Sequence, residues 1–285
     1  MYALNPALNL ERVLIFTDMD GTLLDHHSYS FEAAKTTIEA LKNKDACIIP
    51  NTSKTYSELI ELRENIGLNG PFIVENGAAI YVPASFMLRD KSHFTLKDGF
   101  YVKSFARPRQ IFIELLNKLP NEFSGLFKAF HQMTLQEIAA YTDLPLHAAQ
   151  KAQDRLYGEP IKWLGNNLEQ KQAFIKALRD LGGHVVEGGR FIHFADKTDK
   201  AIAMQYFKEI LQAESNKNIV SVALGDGNND LSMLEKADIS ICIKSPVNPK
   251  LSISKSSNVF YTNLEGPEGW AQSIQALIFN STGLN

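Results

Sequence analysis

Between residues 12 and 75, short apolar runs alternate with longer segments whose apolar residues recur every three or four positions. "RVLIFTD", "ACIIPNTS" and "PFIVE" read as strands, and "SFEAAKTTIEALKNK" and "TYSELIELRENIG" as amphipathic helices between them. Strands joined by helical crossovers of this length pair in parallel, so the pattern commits the chain to βαβ units. The expected class is α/β, with a Rossmann-like parallel sheet at its core.

The alternation breaks at "FIVENGAAIYV", which reads as a hairpin turning at Asn76-Gly77. From Ala84 to Phe194 the chain is richer in aromatics and less regular, with its own strands "GFYVKSFA" and "IKWLG". Thr134 followed by Glu137 spells a capping box, and "LEQKQAFIKALRDLGG" is a helix ending on glycines. "HVVEGGRFIHF" is a second hairpin around Gly188-Gly189. The parallel pattern then resumes with helix "TDKAIAMQYFKEILQAE", strand "IVSVALGD", helix "NDLSMLEKA", strands "ISICI" and "NVFYT", and a last helix from "GPEGW". The expected organisation is a core domain of residues 1–83 and 195–285 and an inserted α/β cap of residues 84–194. Within these bounds the insert carries 15 Lys and Arg against 11 Asp and Glu, net +4, leaving −7 for the core. A basic cap over an acidic core is therefore expected.

In an open parallel sheet, groups at the carboxyl ends of the strands converge on one crevice. "FTDMDGTLLD" ends the first strand with Asp18 and Asp20 on one side and Met19 on the other. Two carboxylates so placed repel unless a cation sits between them, and a metal ion is the natural candidate. Thr52 and Ser53 end the second strand and Asp226 ends "IVSVALG", with Asn229 and Asp230 directly after it. Lys200 opens the helix that follows the insert. Acids, hydroxyls and a lysine in one crevice suit phosphoryl transfer. Each has a plain structural alternative: a strand-ending Asp as turn former, Thr52 as N-cap of the next helix, Lys200 as a solvated helix lysine. His26 and His27, adjacent in a loop, point opposite ways and read as surface. Trp163 and Trp270 read as packing residues.

Composition narrows the partners. With 45% hydrophobic residues the chain is globular, and a net charge of −3 gives no basic balance to attract nucleic acid or an anionic membrane surface. Cys47 and Cys242 lie in apolar runs and read as buried reduced thiols. The first residues show no cationic segment leading into an apolar block, and no apolar run approaches the roughly 18 residues a membrane span needs. The expectation is a soluble, cytoplasmic protein acting on a small molecule.

"DMDGT", "TSK", the lysine of "TDKAIA" and "GDGNND", in this order and each at its own strand or helix end, resemble the haloacid dehalogenase superfamily. The resemblance implies a core of that type under a cap, Mg²⁺ as cofactor, Asp18 as nucleophile forming an aspartyl phosphate, and Asp20 as general acid and then base. It further implies Asp18, the backbone carbonyl of Asp20 and Asp226 as metal ligands, with Asp230 behind them. Thr52, Lys200 and Asn229 would meet the phosphate.

Within the superfamily, "PNTSKT", "ENGAAI", "LPLHAAQKAQDRLYGEP", "GGRFIHF" and "GPEGW" resemble the mannosyl-3-phosphoglycerate phosphatase family across nearly the whole chain. That resemblance implies hydrolysis of mannosyl-3-phosphoglycerate to the compatible solute mannosylglycerate and phosphate. The related alternatives are glucosyl-3-phosphoglycerate as substrate, a phosphomannomutase-like reaction, and a non-catalytic sugar-phosphate sensor. For an anionic glycoside, Lys54, Arg155 and Arg190 are the expected binding cations, Arg190 foremost. A solvated surface role is the alternative for each.

Overall fold

The computed structural model describes residues 13–188, 190–215 and 218–279. The first apolar run forms β1 (Val13–Thr17), buried at every position, as a strand covered on both faces must be. In α1 (Glu32–Lys42) the buried residues Ala34, Thr37, Ile38 and Leu41 keep the spacing of one helical face. β2 (Cys47–Pro50) pairs parallel to β1, with Leu14 opposite Cys47 and Thr17 opposite Pro50.

After α2 (Tyr56–Ile66), β3 (Phe72–Val74) meets the end of β2 through a parallel bridge between Asn51 and Ile73, then folds back against β4 (Ala79–Pro83). The expected hairpin forms, but with four residues between Val74 and its partner Ala79 rather than two. Glu75, Asn76 and Gly77 all take positive φ, at 48°, 56° and 89°.

β5 (Thr95–Lys97) and β6 (Phe100–Ser104) complete an antiparallel sheet of order β3-β4-β6-β5. This moves the expected start of the insert. The chain divides into a unit of Met1–Ser53, Arg63–Lys103 and Asp199–Asn285 and a second unit of Lys54–Leu62 and Ser104–Thr198. Residues 84–103 join the first unit because β6 lies beside β4 and the Phe100 ring packs edge-on against Phe72 at 5.4 Å and Tyr81 at 6.1 Å. The basic surplus goes with the boundary: the second unit carries 13 Lys and Arg against 12 Asp and Glu.

The second unit runs α3 (Arg109–Leu116), β7 (Phe127–Ala129), α4 (Leu135–Thr142), α5 (Leu146–Gln153), β8 (Gly158–Trp163), α6 (Leu168–Asp180), β9 (His184–Gly188) and β10 (Phe191–Ala195). Its strands form an antiparallel sheet of order β7-β8-β10-β9. Ile161, Ile192 and Phe194 share a core with Phe112 and Leu116 of α3 and Phe174, Ile175 and Leu178 of α6, against which Trp163 packs. Thr134 and Glu137 make the expected reciprocal cap of α4. The second hairpin pairs Phe191 with Gly188, while Gly189 lies outside the described residues, as does the N-terminal stretch 1–12.

Past this unit come α7 (Lys200–Ser215), β11 (Val220–Gly225), α8 (Leu231–Lys236), β12 (Ile239–Lys244), β13 (Val259–Glu265) and α9 (Gly266–Ile274). β11 pairs parallel to β1, and the main sheet has the order β13-β12-β11-β1-β2 with all its pairings parallel. Trp270 is fully buried and its indole N–H donates to Thr17 Oγ1 at 3.1 Å, fastening α9 to β1. Among the described residues no helix is long and apolar enough to cross a membrane.

One charged group in the second unit's interior has a place there that its strand position does not reveal. Glu159 of β8 has a fully buried side chain, accepts from the backbone N–H of His131 at 2.9 Å, faces His131 Nδ1 at 2.9 Å and is ion-paired with Arg109. Truncating one partner of a buried pair leaves the other charge uncompensated. Glu159→Ala is expected to destabilise this unit by about 3–5 kcal/mol in urea unfolding. A loss below about 1 kcal/mol would show that the cluster gains its compensation elsewhere.

Candidate active site

The carboxyl end of β1 is where the sheet opens. Asp18 donates its backbone N–H to Leu224 O of β11 at 2.9 Å, extending the parallel ladder by one residue before the chain turns. Asp18 is buried and Asp20 half-buried. The turn is closed by Gly21 N–H to Leu24 O and Leu24 N–H to Met19 O, at 2.9 and 2.8 Å. Gly21 sits at φ 79°, and a Cβ there would stand 2.8 Å from Asp226 Oδ2, so the loop's backbone forms the floor beneath that carboxylate.

Lys200 is the first residue of α7 and is 1% exposed. Its Nζ donates to Asp18 Oδ1 and to Asp230 Oδ1, both at 2.6 Å. Asp230 spends its other oxygen on the N–H groups of Asp226 and Gly227, at 3.1 and 3.0 Å. With both oxygens engaged it serves as a brace between Lys200 and the loop after β11. Asp226 accepts from Thr22 Oγ1 at 3.2 Å and from Asn248 Nδ2 at 3.0 Å.

Carboxylate oxygens of Asp18, Asp226 and Asp230 lie within 4.8 Å of one another. Three buried acids cluster where one ammonium neutralises two of them, and every donor in the set is a hard oxygen, which suits a divalent cation of the magnesium or calcium kind. Burial pushes the Asp18 carboxyl up to about 8 against the opposing pull of Lys200, and burial raises Asp226 as well. For Lys200, burial acts downward, but its two carboxylate partners hold it above its ordinary value.

Thr52 is buried after β2, its N–H bonded to Ile73 O at 3.1 Å and its carbonyl accepting from Asn76 N–H at 2.8 Å. It does not cap α2. Thr55 does, in a reciprocal box with Glu58. Asn51, given no role by its place in "PNTSKT", is fully buried and donates from Nδ2 to Lys200 O at 3.0 Å, tying the end of β2 to the start of α7. Gly77 makes the same junction from another side: a Cβ there would lie 2.3 Å from Asp199 O. Asn229 is exposed and donates to Asn76 Oδ1 at 3.3 Å.

Thus Lys200 binds Asp18 and Asp230 directly and the Asp226 carboxylate lies within 4.8 Å of both acids, with Asp20, Thr52 and Asn229 on the loops around them. Lys54, Arg155 and Arg190 belong to the second unit. The Arg190 guanidinium is held by Asp143 at 2.5 Å and by Tyr141 O at 2.9 Å. Arg155 stands beside His193, which burial and that guanidinium push down to about 4. His27 and Ser28 donate backbone N–H groups to Asp25 Oδ1, so the two histidines sit on a turn, and both cysteines are free thiols.

A parallel sheet with a strand-end nucleophile candidate, an acid two residues on, a buried lysine and a further acid pair defines a class, and comparison with known proteins agrees. Residues 15–256 match the haloacid dehalogenase-like hydrolases, and the chain belongs to that family. It is a phosphoric monoester hydrolase. The glucosyl-3-phosphoglycerate/mannosyl-3-phosphoglycerate phosphatase of Persephonella marina is 32% identical to it over 281 residues, covering 93% of this chain and 97% of the relative. The phosphatase of the same description from Methanococcoides burtonii is 31% identical over 279 residues, at the same coverages. Among solved structures, one from Thermotoga maritima shares the fold with a TM-score of 0.64 at 16% identity, over 95% of this chain and 98% of that one.

Lys200→Met would leave the buried carboxylates of Asp18 and Asp230 without their shared cation. Asp18 would then hold its proton more tightly, because the charge that opposes its burial is gone, so the penalty grows as pH rises and it is forced to ionise. Even with Lys200 in place, the Asp18 pKa lies above its ordinary 3.8, so ionising it subtracts folded-state stability as pH climbs toward about 8. Urea unfolding in EDTA is expected to give a larger destabilisation by Lys200→Met at pH 8 than at pH 5. An equal loss at both would mean that the ammonium does not compensate ionised acids.

Proposed function

We propose that this hydrolase is a Mg²⁺-dependent phosphatase of 3-phosphoglycerate glycosides, releasing phosphate from glucosyl- or mannosyl-3-phosphoglycerate. The observation that carries the reading is the Lys200 ammonium 2.6 Å from both Asp18 and Asp230, with Asp226 beside them. The two relatives of that description, matched over 93% of the chain, support the substrate class.

Asp18 attacks phosphorus through a carboxylate oxygen; the bond to the glyceryl oxygen breaks, and Asp20 gives that oxygen its proton. Asp20, now ionised, takes a proton from water as the water oxygen attacks the aspartyl phosphate, and the P–O bond to Asp18 breaks to free inorganic phosphate. Lys200 keeps Asp18 oriented and offers charge to the phosphoryl oxygens, with Thr52 and Asn229 as further donors. Asp18, the Asp20 carbonyl and Asp226 would hold Mg²⁺, which when bound neutralises charge on the transferring phosphoryl group. The glycoside is assigned to the second unit as the substrate-recognising part, through Lys54 and Arg155. Arg190, whose exposed guanidinium meets Asp143 and Tyr141 O within the same unit, is the third cation proposed for it.

Phosphate release from both glycosides, measured with and without Mg²⁺, tests the reading. Asp18→Asn is expected to lose at least about 10³-fold in kcat on each, and excess EDTA to abolish turnover. Substantial activity in Asp18→Asn would remove Asp18 from the chemistry, and faster turnover of unrelated sugar phosphates would move the substrate class.

A further inference from the structure

β12 does not end as a regular strand. Its register against β13 shifts between Cys242 and Lys244, and the Lys244 N–H is capped by Thr262 Oγ1 at 2.9 Å. Such a bulge bends the strand and re-aims the residues that follow it. Here the next residues are "SPVNP", two prolines framing a tight turn. Pro246 and Pro249 fix their own φ and restrict the residue before each, Ser245 and Asn248. The turn is closed by the Asn248 N–H, which donates to Ser245 Oγ at 3.2 Å. The Asn248 side chain reaches Asp226, its Nδ2 donating to Oδ2 at 3.0 Å. Ser245 lies near enough to the same carboxylate to pull its pKa down against burial.

Asp226 itself sits at the end of β11, and a second loop meets it from the other side. Thr22 Oγ1 donates to Oδ1 at 3.2 Å, and Gly21 passes close beneath. Each oxygen of the carboxylate therefore has a donor on a different loop. Thr22 follows β1 and Asn248 follows β12, the strands on either side of β11. A carboxylate held on both oxygens cannot swing about its Cβ–Cγ bond, and its remaining lone pairs keep one direction. Partners of this kind set how well a ligand binds a metal, and their loss typically costs about 10- to 100-fold in affinity.

We propose that the Ser245–Asn248 turn is a positioning clamp that pre-orients Asp226 for the divalent cation, with Asn248 its principal residue. The inference rests on the reading of Asp226 as a metal ligand. Asn248 is exposed on its turn, so its truncation opens no cavity in the core.

Mg²⁺ binding to the metal-free full chain, followed by titration calorimetry and by the Mg²⁺-dependent rise in melting temperature, tests it. Asn248→Ala is expected to raise the Mg²⁺ Kd about 10-fold or more while the melting temperature in EDTA stays at the wild-type value. Its loss of phosphatase activity at limiting Mg²⁺ should be recovered as Mg²⁺ is raised, with KM for the phosphate ester unmoved. Ser245→Ala should shift the Kd in the same direction by less. An unchanged Kd in Asn248→Ala overturns the clamp, and so does a Kd change matched by a fall in the metal-free melting temperature, which would mark a folding role. Asp226→Asn separates this from the underlying reading. Loss of Mg²⁺ binding there with none in Asn248→Ala defeats the clamp alone, whereas wild-type binding in Asp226→Asn defeats Asp226 as ligand.

Discussion

A single ammonium group, buried to 1% exposure and bonded to two carboxylates at 2.6 Å, governs how the rest of the first unit is built. Taking such ions out of water costs several kcal/mol each, and the cost is recovered only when geometry is close to ideal. The surroundings of Lys200 supply that geometry. Asn51 holds its carbonyl from the end of β2, and Gly77 leaves room for the backbone just before it. Asp199 accepts from both the Ala201 N–H and the Ser232 hydroxyl, fixing the first turn of α7 against α8. Take these away and the lysine would lie where the sequence alone suggests a helix lysine lies, in water.

The chemical core was legible in the sequence because each of its members ends an element. A run of apolar residues followed by an acid marks a strand's carboxyl end, and Asp18, Asp20 and Asp226 all follow such runs. Lys200 was legible from its place at a helix start within the same order of motifs. The residues that hold them were not. Asn51 lies beside Thr52 in "PNTSKT", yet its bond runs to a backbone carbonyl 149 residues away. Ser245 and Asn248 come from a proline-framed turn that looks like an ordinary strand connection. No periodicity records which carboxylate a turn will face, because that depends on a strand order in which β11 lies between β1 and β12.

The second unit was legible in outline and not in detail. Its aromatic richness marked a separate core, which Phe112, Phe174 and Phe194 form. Its boundary slipped because "GFYVKSFA" carries a strand pattern but no sign of its partner, and β6 chose β4. Arg190 stands out in the sequence because it follows a hairpin turn, whereas its ion pair with Asp143, left-handed at the end of α4 with φ 60°, carries no sequence signal. Glu159 shows the converse: a strand glutamate that sequence would put in water is interior, because Arg109 and the His131 N–H meet it there.

The order of the main sheet also bears on how the chain is made. β1 and β2 are synthesised within the first 50 residues and can pair at once, but the other side of β1 is filled by β11, which begins at Val220. At a synthesis rate of about 5–20 residues per second, the intervening chain takes roughly 10–35 s to emerge. Throughout that interval the wholly apolar edge of "VLIF" has no neighbour, a bare template for pairing with any other nascent strand. A fold whose central strand pairs with segments from both ends of the polypeptide thus carries a built-in delay, during which that strand is open to the wrong partner.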